Sequence, residues 1–178
     1  MDNNIEKHIE EICIKANKAS KSLSHASSKS KNHALQLIAK HIKKDKNDIL
    51  KANLIDIESA KENNVSEALL DRLLLNESRI NDMIKGLDNI ILLNDPIGSE
   101  IKKWTPKNGI IMSQTRVPIG VIGIIYESRP NVTADASALA LKSGNAIILR
   151  GGSESFHSSS AIVKSIKNGL KESDISEN

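Results

Sequence analysis

Two short apolar runs, one helix-length segment between them and a glycine pair after the second run leave this chain few possible folds between Val117 and Ser153. The first run, Val121-Ile122-Gly123-Ile124-Ile125, is rich in β-branched residues and reads as a buried strand of a parallel sheet. A polar turn containing Pro130 follows it. Val132 to Ser143 then places Ala, Leu and Asp at helical spacing and stops at Gly144-Asn145, a C-terminal helix signal. Ala146 to Leu149 is the second run; it ends in Arg150-Gly151-Gly152, and a further helix is expected from about Glu154 to Leu170. Strand, helix, strand, glycine turn and helix make a βαβ unit, so the fold class is α/β and the chemistry belongs at the carboxyl ends of these strands.

The residues upstream read differently. Ile5, Ile9, Ile12, Ala16 and Ala19 recur at steps of four and three, which predicts one inward helix face. Further helices are expected from Ser30 to Lys44, from Asp45 to Asn63 with Ile49, Ala52, Leu54 and Ile57 as candidate core, and from Glu67 to Leu74 behind an N-cap at Ser66. Asn76 predicts a cap for another helix, with Ile80, Met83, Ile84, Leu87 and Ile91 facing inward. From Pro96 the pattern changes. Ser99–Trp104 and Ile110–Val117 form a predicted β-hairpin around Thr105-Pro106-Lys107-Asn108-Gly109, whose Asn-Gly pair is the strongest turn signal in the chain. The division expected from this is a helical region over residues 1–94, then the hairpin and the βαβ unit over residues 95–178, with a polar tail after Lys171.

Composition narrows the function classes. Aromatic residues are only 2% of the 178, so a core must come from Ile, Leu, Val and Ala. Lysine and glutamate are interspersed and the single Trp, Tyr and Phe lie far apart, which argues against a nucleic-acid surface built from a basic stripe and stacking rings. No apolar run approaches the roughly 20 residues of a membrane span, and Met1-Asp2-Asn3-Asn4 lacks the features of a secretory leader. No membrane association is expected, and a cytoplasmic location follows by default. Cys13 is the only cysteine, so neither an internal disulfide nor a thiolate metal cluster is available. His25, His33 and His41 lie eight residues apart, about 12 Å along a helix, too far to share an ion. The five histidines and the lysine-rich segments therefore read as solvated surface, and no metal site is expected.

Two segments offer chemistry. In Arg150-Gly151-Gly152-Ser153-Glu154, glycines allow close backbone approach to a bound group and Arg150 supplies a fork of donors suited to phosphate. The helix start that follows adds partial positive charge. The same glycines could equally serve only the backbone angles of a strand-to-helix turn. Gly120 and Gly123 do not make the dinucleotide fingerprint, because their spacing is wrong and they precede or lie within a strand. Glu127-Ser128-Arg129-Pro130-Asn131 ends the first strand beside the same sheet edge. Asn131 is either a helix N-cap, the reading spacing favours, or an amide donor aimed into a pocket.

Arg116-Val117-Pro118-Ile119-Gly120-Val121-Ile122-Gly123, Tyr126-Glu127-Ser128-Arg129-Pro130-Asn131-Val132-Thr133, Ala138-Leu139-Ala140-Leu141-Lys142-Ser143-Gly144-Asn145 and Leu149-Arg150-Gly151-Gly152-Ser153-Glu154 resemble the γ-glutamyl phosphate reductases, or glutamate-5-semialdehyde dehydrogenases, of the aldehyde dehydrogenase superfamily. Leu70-Asp71-Arg72-Leu73-Leu74-Leu75-Asn76-Glu77-Ser78-Arg79-Ile80 and Asp95-Pro96-Ile97-Gly98 are similar as well, so the resemblance runs nearly the whole chain. It implies an aldehyde-dehydrogenase-like fold, in which helices and a hairpin lead into the first βαβα unit of a Rossmann-like sheet that remains incomplete here. It also implies NADPH-dependent reduction of γ-glutamyl phosphate to glutamate 5-semialdehyde and phosphate, in proline biosynthesis. Arg150, Gly151, Gly152, Ser153 and Glu154 match the turn that holds the adenosine ribose. A serine at 153, where NAD-preferring members carry an acid, implies NADP(H). Asn131 matches the asparagine that stabilises the oxyanion, and Glu127, Ser128 and Arg129 would line the substrate or cofactor side of the cleft. The resemblance further implies a homo-oligomer and a glutamate 5-kinase partner. The family nucleophile is a cysteine that lies later in the family's chain, and Cys13 does not match it. The expectation is therefore an N-terminal portion without the catalytic domain, inactive and marginally stable alone. A non-catalytic nucleotide-binding or interaction module on the same fold is the alternative.

Overall fold

The computed structural model describes residues 2–178, with side chains from residue 4 onward; Met1, which entered the leader reading, lies outside them. Five helices come first: α1 (Asp2–Leu23), α2 (Ser28–Lys44), α3 (Lys46–Glu62), α4 (Glu67–Leu73) and α5 (Glu77–Leu92). Strands β1 (Glu100–Trp104) and β2 (Met112–Thr115) follow, then β3 (Val121–Ile125), α6 (Pro130–Lys142), β4 (Ala146–Arg150), a 3-10 turn (Ser153–Ser155) and α7 (Phe156–Lys171). The α/β arrangement is the expected one.

One helical core joins the upstream helices to the βαβ unit. Leu35 and Ile42 of α2, Ile49 of α3, Ile80 and Leu87 of α5, Ala134 of α6 and Ile162 of α7 all belong to the same buried cluster. Seven such side chains removed from water supply on the order of 10 kcal/mol of apolar burial before entropy is counted. The closest approach in this layer is α7 on α2. A Cβ at Gly169 would stand 2.7 Å from both the Cα and the N of Ile38, so only glycine permits this crossing.

The sheets are small. β1 and β2 pair antiparallel as a hairpin, and all nine of their residues are exposed. β3 and β4 pair parallel in the register Val121↔Ala146 to Ile125↔Arg150. Neither is the fully buried strand that its apolar run suggests: β3 is only partly covered, and Ile125 is 83% exposed. The reason is that each strand has a single neighbour, so one edge of each stays open. α1 covers one face of the pair with Ala16 and Ala19 against Val121, Ala146 and Ile148. Its predicted stripe does not continue inward: Ile5, Ile9 and Ile12 are exposed, Ile12 along a groove that also touches β4.

Local signals behave as physics predicts where a partner is close in sequence. The Asn76 side chain accepts from Arg79 N at 2.8 Å and caps α5. Ser66 marks the start of α4 but makes no side-chain cap. The C-terminal signal of α6 holds: Gly144 takes φ +72°, and Asn145 N donates to Ala140 O at 2.8 Å. Two surface readings need correction, at His41 and at Lys31. His41 is buried and hydrogen-bonds Glu172 at 2.7 Å, which holds the chain beyond α7 against α2. Lys31 is buried against Asp95 at 2.5 Å, and Lys142 is buried with its Nζ donating to Asn32 Oδ1 and Ile91 O. In each case the stem packs in the core and a polar partner satisfies the head. Burial alone would raise Asp95, but hydrogen bonds from Lys31, Ser28 and Ile97 N outweigh it and hold its carboxyl below the usual value.

Candidate functional site

β3 and β4 run side by side, so the segments leaving their carboxyl ends, Tyr126–Asn131 and Gly151–Ser155, are neighbours. One hydrogen bond ties them: Ser128 Oγ donates to Glu154 Oε2 at 2.6 Å. That bond, ahead of the smaller effect of Arg150, keeps the Glu154 carboxyl below its ordinary range. The glycine pair is explained by crowding rather than by backbone angles. Gly152 has an ordinary φ of −65°, but a Cβ there would collide with Ser128 Oγ and approach Ser128 N to 3.3 Å. A Cβ at Gly151 would meet the Tyr126 hydroxyl at 3.1 Å, and that hydroxyl is fixed by a 2.7 Å hydrogen bond with Thr133. The glycines thus let the two loops pack on each other.

Arg150 and Ser153 stay exposed above this packed pair; one Arg150 Nη1 proton goes to Gly151 O, and the remaining donors are free among the described residues. The turn thus carries an exposed guanidinium and an exposed hydroxyl, while Ser128 holds the Glu154 carboxylate toward the β3 loop. The start of α7 does not take part. Asp56, from α3 and 3% exposed, accepts from His157 N at 3.1 Å, from Ser158 N at 2.7 Å and from Ser158 Oγ. An internal carboxylate therefore already occupies the donors that the sequence offered to an anion. Beside it, buried Asn53 donates to Leu73 O and Ser158 Oγ and accepts from Leu75 N, so the α4–α5 connection and α7 share one buried polar network.

On the β3 side, Asn131 is not the cap. Arg129 occupies that position with no side-chain cap bond, Pro130 is the first helical residue, and Asn131 stands inside the first turn. Its Nδ2 donates to Asp135 Oδ2 at 3.2 Å, which uses one amide proton and leaves the second free. Glu127 meets Arg72 Nη1 at 3.1 Å and Arg129 Nε at 3.9 Å. Arg129, Asn131, Asp135, Arg72 and Arg79 line a cavity of about 380 Å³ between this loop and the α4–α5 connection. Arg79 is committed to that connection, donating to Asp71 and to Leu74 O. Burial raises the Asp135 carboxyl above its usual value, and the Asn131 hydrogen bond only partly opposes this.

Sequence reading brought the two loops together but missed Asp56, Asn53 and Asp135. The first two carried a signal: they interrupt the buried stripe of α3 formed by Ile49, Ile57 and Ala60, where a polar residue must have an internal partner. Cys13 is exposed and lines neither the cavity beside Asn131 nor the groove between α1, β4 and α7. No grouping of His, Cys, Asp and Glu able to hold a metal occurs among the described residues, nor does any helix there long and apolar enough to cross a membrane.

Comparison with known proteins gives consistent matches. A model described as the aldehyde dehydrogenase family matches residues 2–173. The γ-glutamyl phosphate reductase of Kosmotoga olearia is 49% identical over 170 residues, covering 94% of this chain and 41% of that protein. The crystal structure of γ-glutamyl phosphate reductase from Thermotoga maritima superposes with a TM-score of 0.91 at 48% identity, over 94% of this chain and 40% of the other. That of the Saccharomyces cerevisiae γ-glutamyl phosphate reductase gives 0.86 at 33% identity, over 91% and 41%. The chain thus spans about two fifths of the length of the curated relatives it matches.

Proposed function

Since the chain belongs to the aldehyde dehydrogenase family, we propose that it supplies the cofactor turn and part of the acyl site of a γ-glutamyl phosphate reductase, in proline biosynthesis. The reaction is the NADPH-dependent reduction of γ-glutamyl phosphate to glutamate 5-semialdehyde, with release of phosphate. One observation carries the reading: the Tyr126–Asn131 loop and the Arg150–Glu154 turn are hydrogen-bonded to each other at the carboxyl ends of adjacent parallel strands. In open α/β sheets that is where ligands bind.

In this reading Arg150 and Ser153 hold the 2′-phosphate side of the adenosine ribose, Gly151 and Gly152 let the turn pack flat beneath it, and Glu154 stays tied to Ser128. NADPH, when bound, supplies the hydride. Asn131 faces the acyl group with its second amide proton and favours negative charge developing on the carbonyl oxygen. Asp135 fixes which end of the Asn131 amide is presented, because a carboxylate neighbour accepts only from the nitrogen. Glu127, Ser128 and Arg129 form the rim between the two ligands. Cys13, exposed on α1, is not the nucleophile. Residues 1–94 serve as the helical region behind the site, and residues 95–178 as hairpin and first part of the cofactor domain. The enzyme is cytoplasmic and homo-oligomeric, and receives its labile acyl phosphate from a glutamate 5-kinase.

The test is titration of this chain with NADPH and with NADH. NADPH is expected to bind at least tenfold more tightly, and Arg150→Gln to remove the difference. Equal affinities in the native chain would overturn the NADP assignment.

A further inference from the structure

The cavity beside Asn131 contains two charges of opposite sign that the protein leaves unsatisfied. Six charged side chains line it, and most are committed. Arg72 pairs with Glu127, Arg79 with Asp71, and Asp82 with Lys85. Arg129 is different: its only ionic contact is the 3.9 Å approach of Nε to Glu127, and both Nη groups lack a partner among the described residues. Asp135 is different in the opposite sense. It is half-buried, its one hydrogen bond comes from the neutral Asn131 amide, and no basic side chain among the described residues reaches it. A half-buried carboxylate without a cation is costly to maintain, and the exposed Arg129 keeps both Nη groups available on the rim of the same cavity. The burial that raises the Asp135 carboxyl is the same cost seen from the protonation side.

We infer that this cavity recognises an α-amino acid head group, with Arg129 taking the α-carboxylate and Asp135 the α-ammonium. The fork of Arg129 matches a carboxylate bidentately, and an ammonium ion supplies the counter-charge that Asp135 lacks. The volume of about 380 Å³ accommodates a five-carbon amino acid. Asn131 lines the same cavity, so a γ-acyl group carried by that head can lie at its free amide proton. The inference rests on the reading of this cleft as an acyl-phosphate site, and it adds which part of the substrate is selected and by what.

The test is an NMR titration of the isotope-labelled 178-residue chain with L-glutamate, with glutarate, which lacks the ammonium, and with 4-aminobutyrate, which lacks the α-carboxylate. L-glutamate is expected to give saturable shifts at Arg129, Asn131 and Asp135, and the two truncated compounds to bind at least tenfold more weakly. Arg129→Gln and Asp135→Asn are each expected to weaken L-glutamate at least tenfold, while Asp88→Asn, exposed on α5 and outside the cavity lining, leaves it unchanged. Absence of saturable shifts, or glutarate binding as well as L-glutamate, overturns the inference; the compound series decides this on the native chain even if a variant fails to fold. NADPH added to the same sample separates the two readings. NADPH binding without L-glutamate binding sinks this inference alone, and L-glutamate binding without NADPH sinks the cofactor assignment alone.

Discussion

Helices α6 and α7 both begin just beyond the carboxyl end of a strand in the same parallel pair, and their starts are handled in opposite ways. At α7 a buried carboxylate from α3 accepts two backbone N–H groups and a serine hydroxyl. At α6 no side chain caps the start, Pro130 removes one orphan donor, and the Asp135 carboxylate on the same helix bonds the Asn131 side chain instead. The first arrangement is complete without a ligand; the second has donors and acceptors left over, facing a cavity. In this molecule the helix start closed by a carboxylate is scaffold, and the open one lies at the cavity on which the proposed acyl site rests.

Breaking the closed start has the largest expected effect. Asp56→Ala orphans three donors at once, two of them on the buried Ser158, and is expected to cost about 3 kcal/mol, read as a lower urea midpoint at unchanged slope; Asp56→Asn, which keeps one acceptor, is expected to cost about half as much. A loss below about 0.5 kcal/mol would show that α7 does not depend on Asp56. Next comes the contact that joins the two loops. Gly152→Ala drives a Cβ between Ser128 Oγ and Glu154 Oε2, which breaks their hydrogen bond, and crowds Ser128 N at 3.3 Å; it is expected to cost about 1–2 kcal/mol in thermal melts. A third pair calibrates both: Asn76→Ala, which removes an observed cap, is expected to cost about 1 kcal/mol, and Ser66→Ala, which removes none, only a few tenths. Equal losses would mean that cap geometry is not what separates these starts.

The smallest effect has the opposite sign and sits at the open start. Burial lifts Asp135 above 3.8, its value in the unfolded chain, so the unfolded chain gives up this proton first as pH rises. Stability contributed at this position therefore falls between about pH 4 and the folded value, and the cost persists at neutral pH. Asp135→Asn removes that cost and is expected to gain a few tenths of a kcal/mol at pH 7, with no gain below pH 3. A loss at pH 7 would mean that Asp135 serves the scaffold after all.

The sequence made those features legible whose partners lie nearby. The β3–α6–β4 unit, the Asn76 cap and the Gly144 termination rest on periodicity or on contacts within a few residues, and each is present. The family likewise followed from strings between Arg116 and Glu154, and the match over residues 2–173 agrees with it. Asp56 and Ser158 are 102 residues apart, and no local rule connects them. Of the two readings of Asn131, spacing favours the cap because Asn is a good capping residue, but Pro130 prefers the first helical position and moves the cap to Arg129. The stripe Ile5, Ile9 and Ile12 is correct as a helical pattern and wrong as a burial pattern, since periodicity says which face is apolar and not what covers it.

The glycine contact between α7 and α2 has a mechanical consequence. α7 is anchored at its start by Asp56 of α3 and, near its end, by Gly169 lying on the backbone of Ile38. Fixed at both ends to the helical layer, it has no independent way to open. Its amides should exchange with solvent in the same cooperative unit as those of α2 and α3, and a ligand that stiffens the Arg150–Glu154 turn should slow exchange in all three helices together.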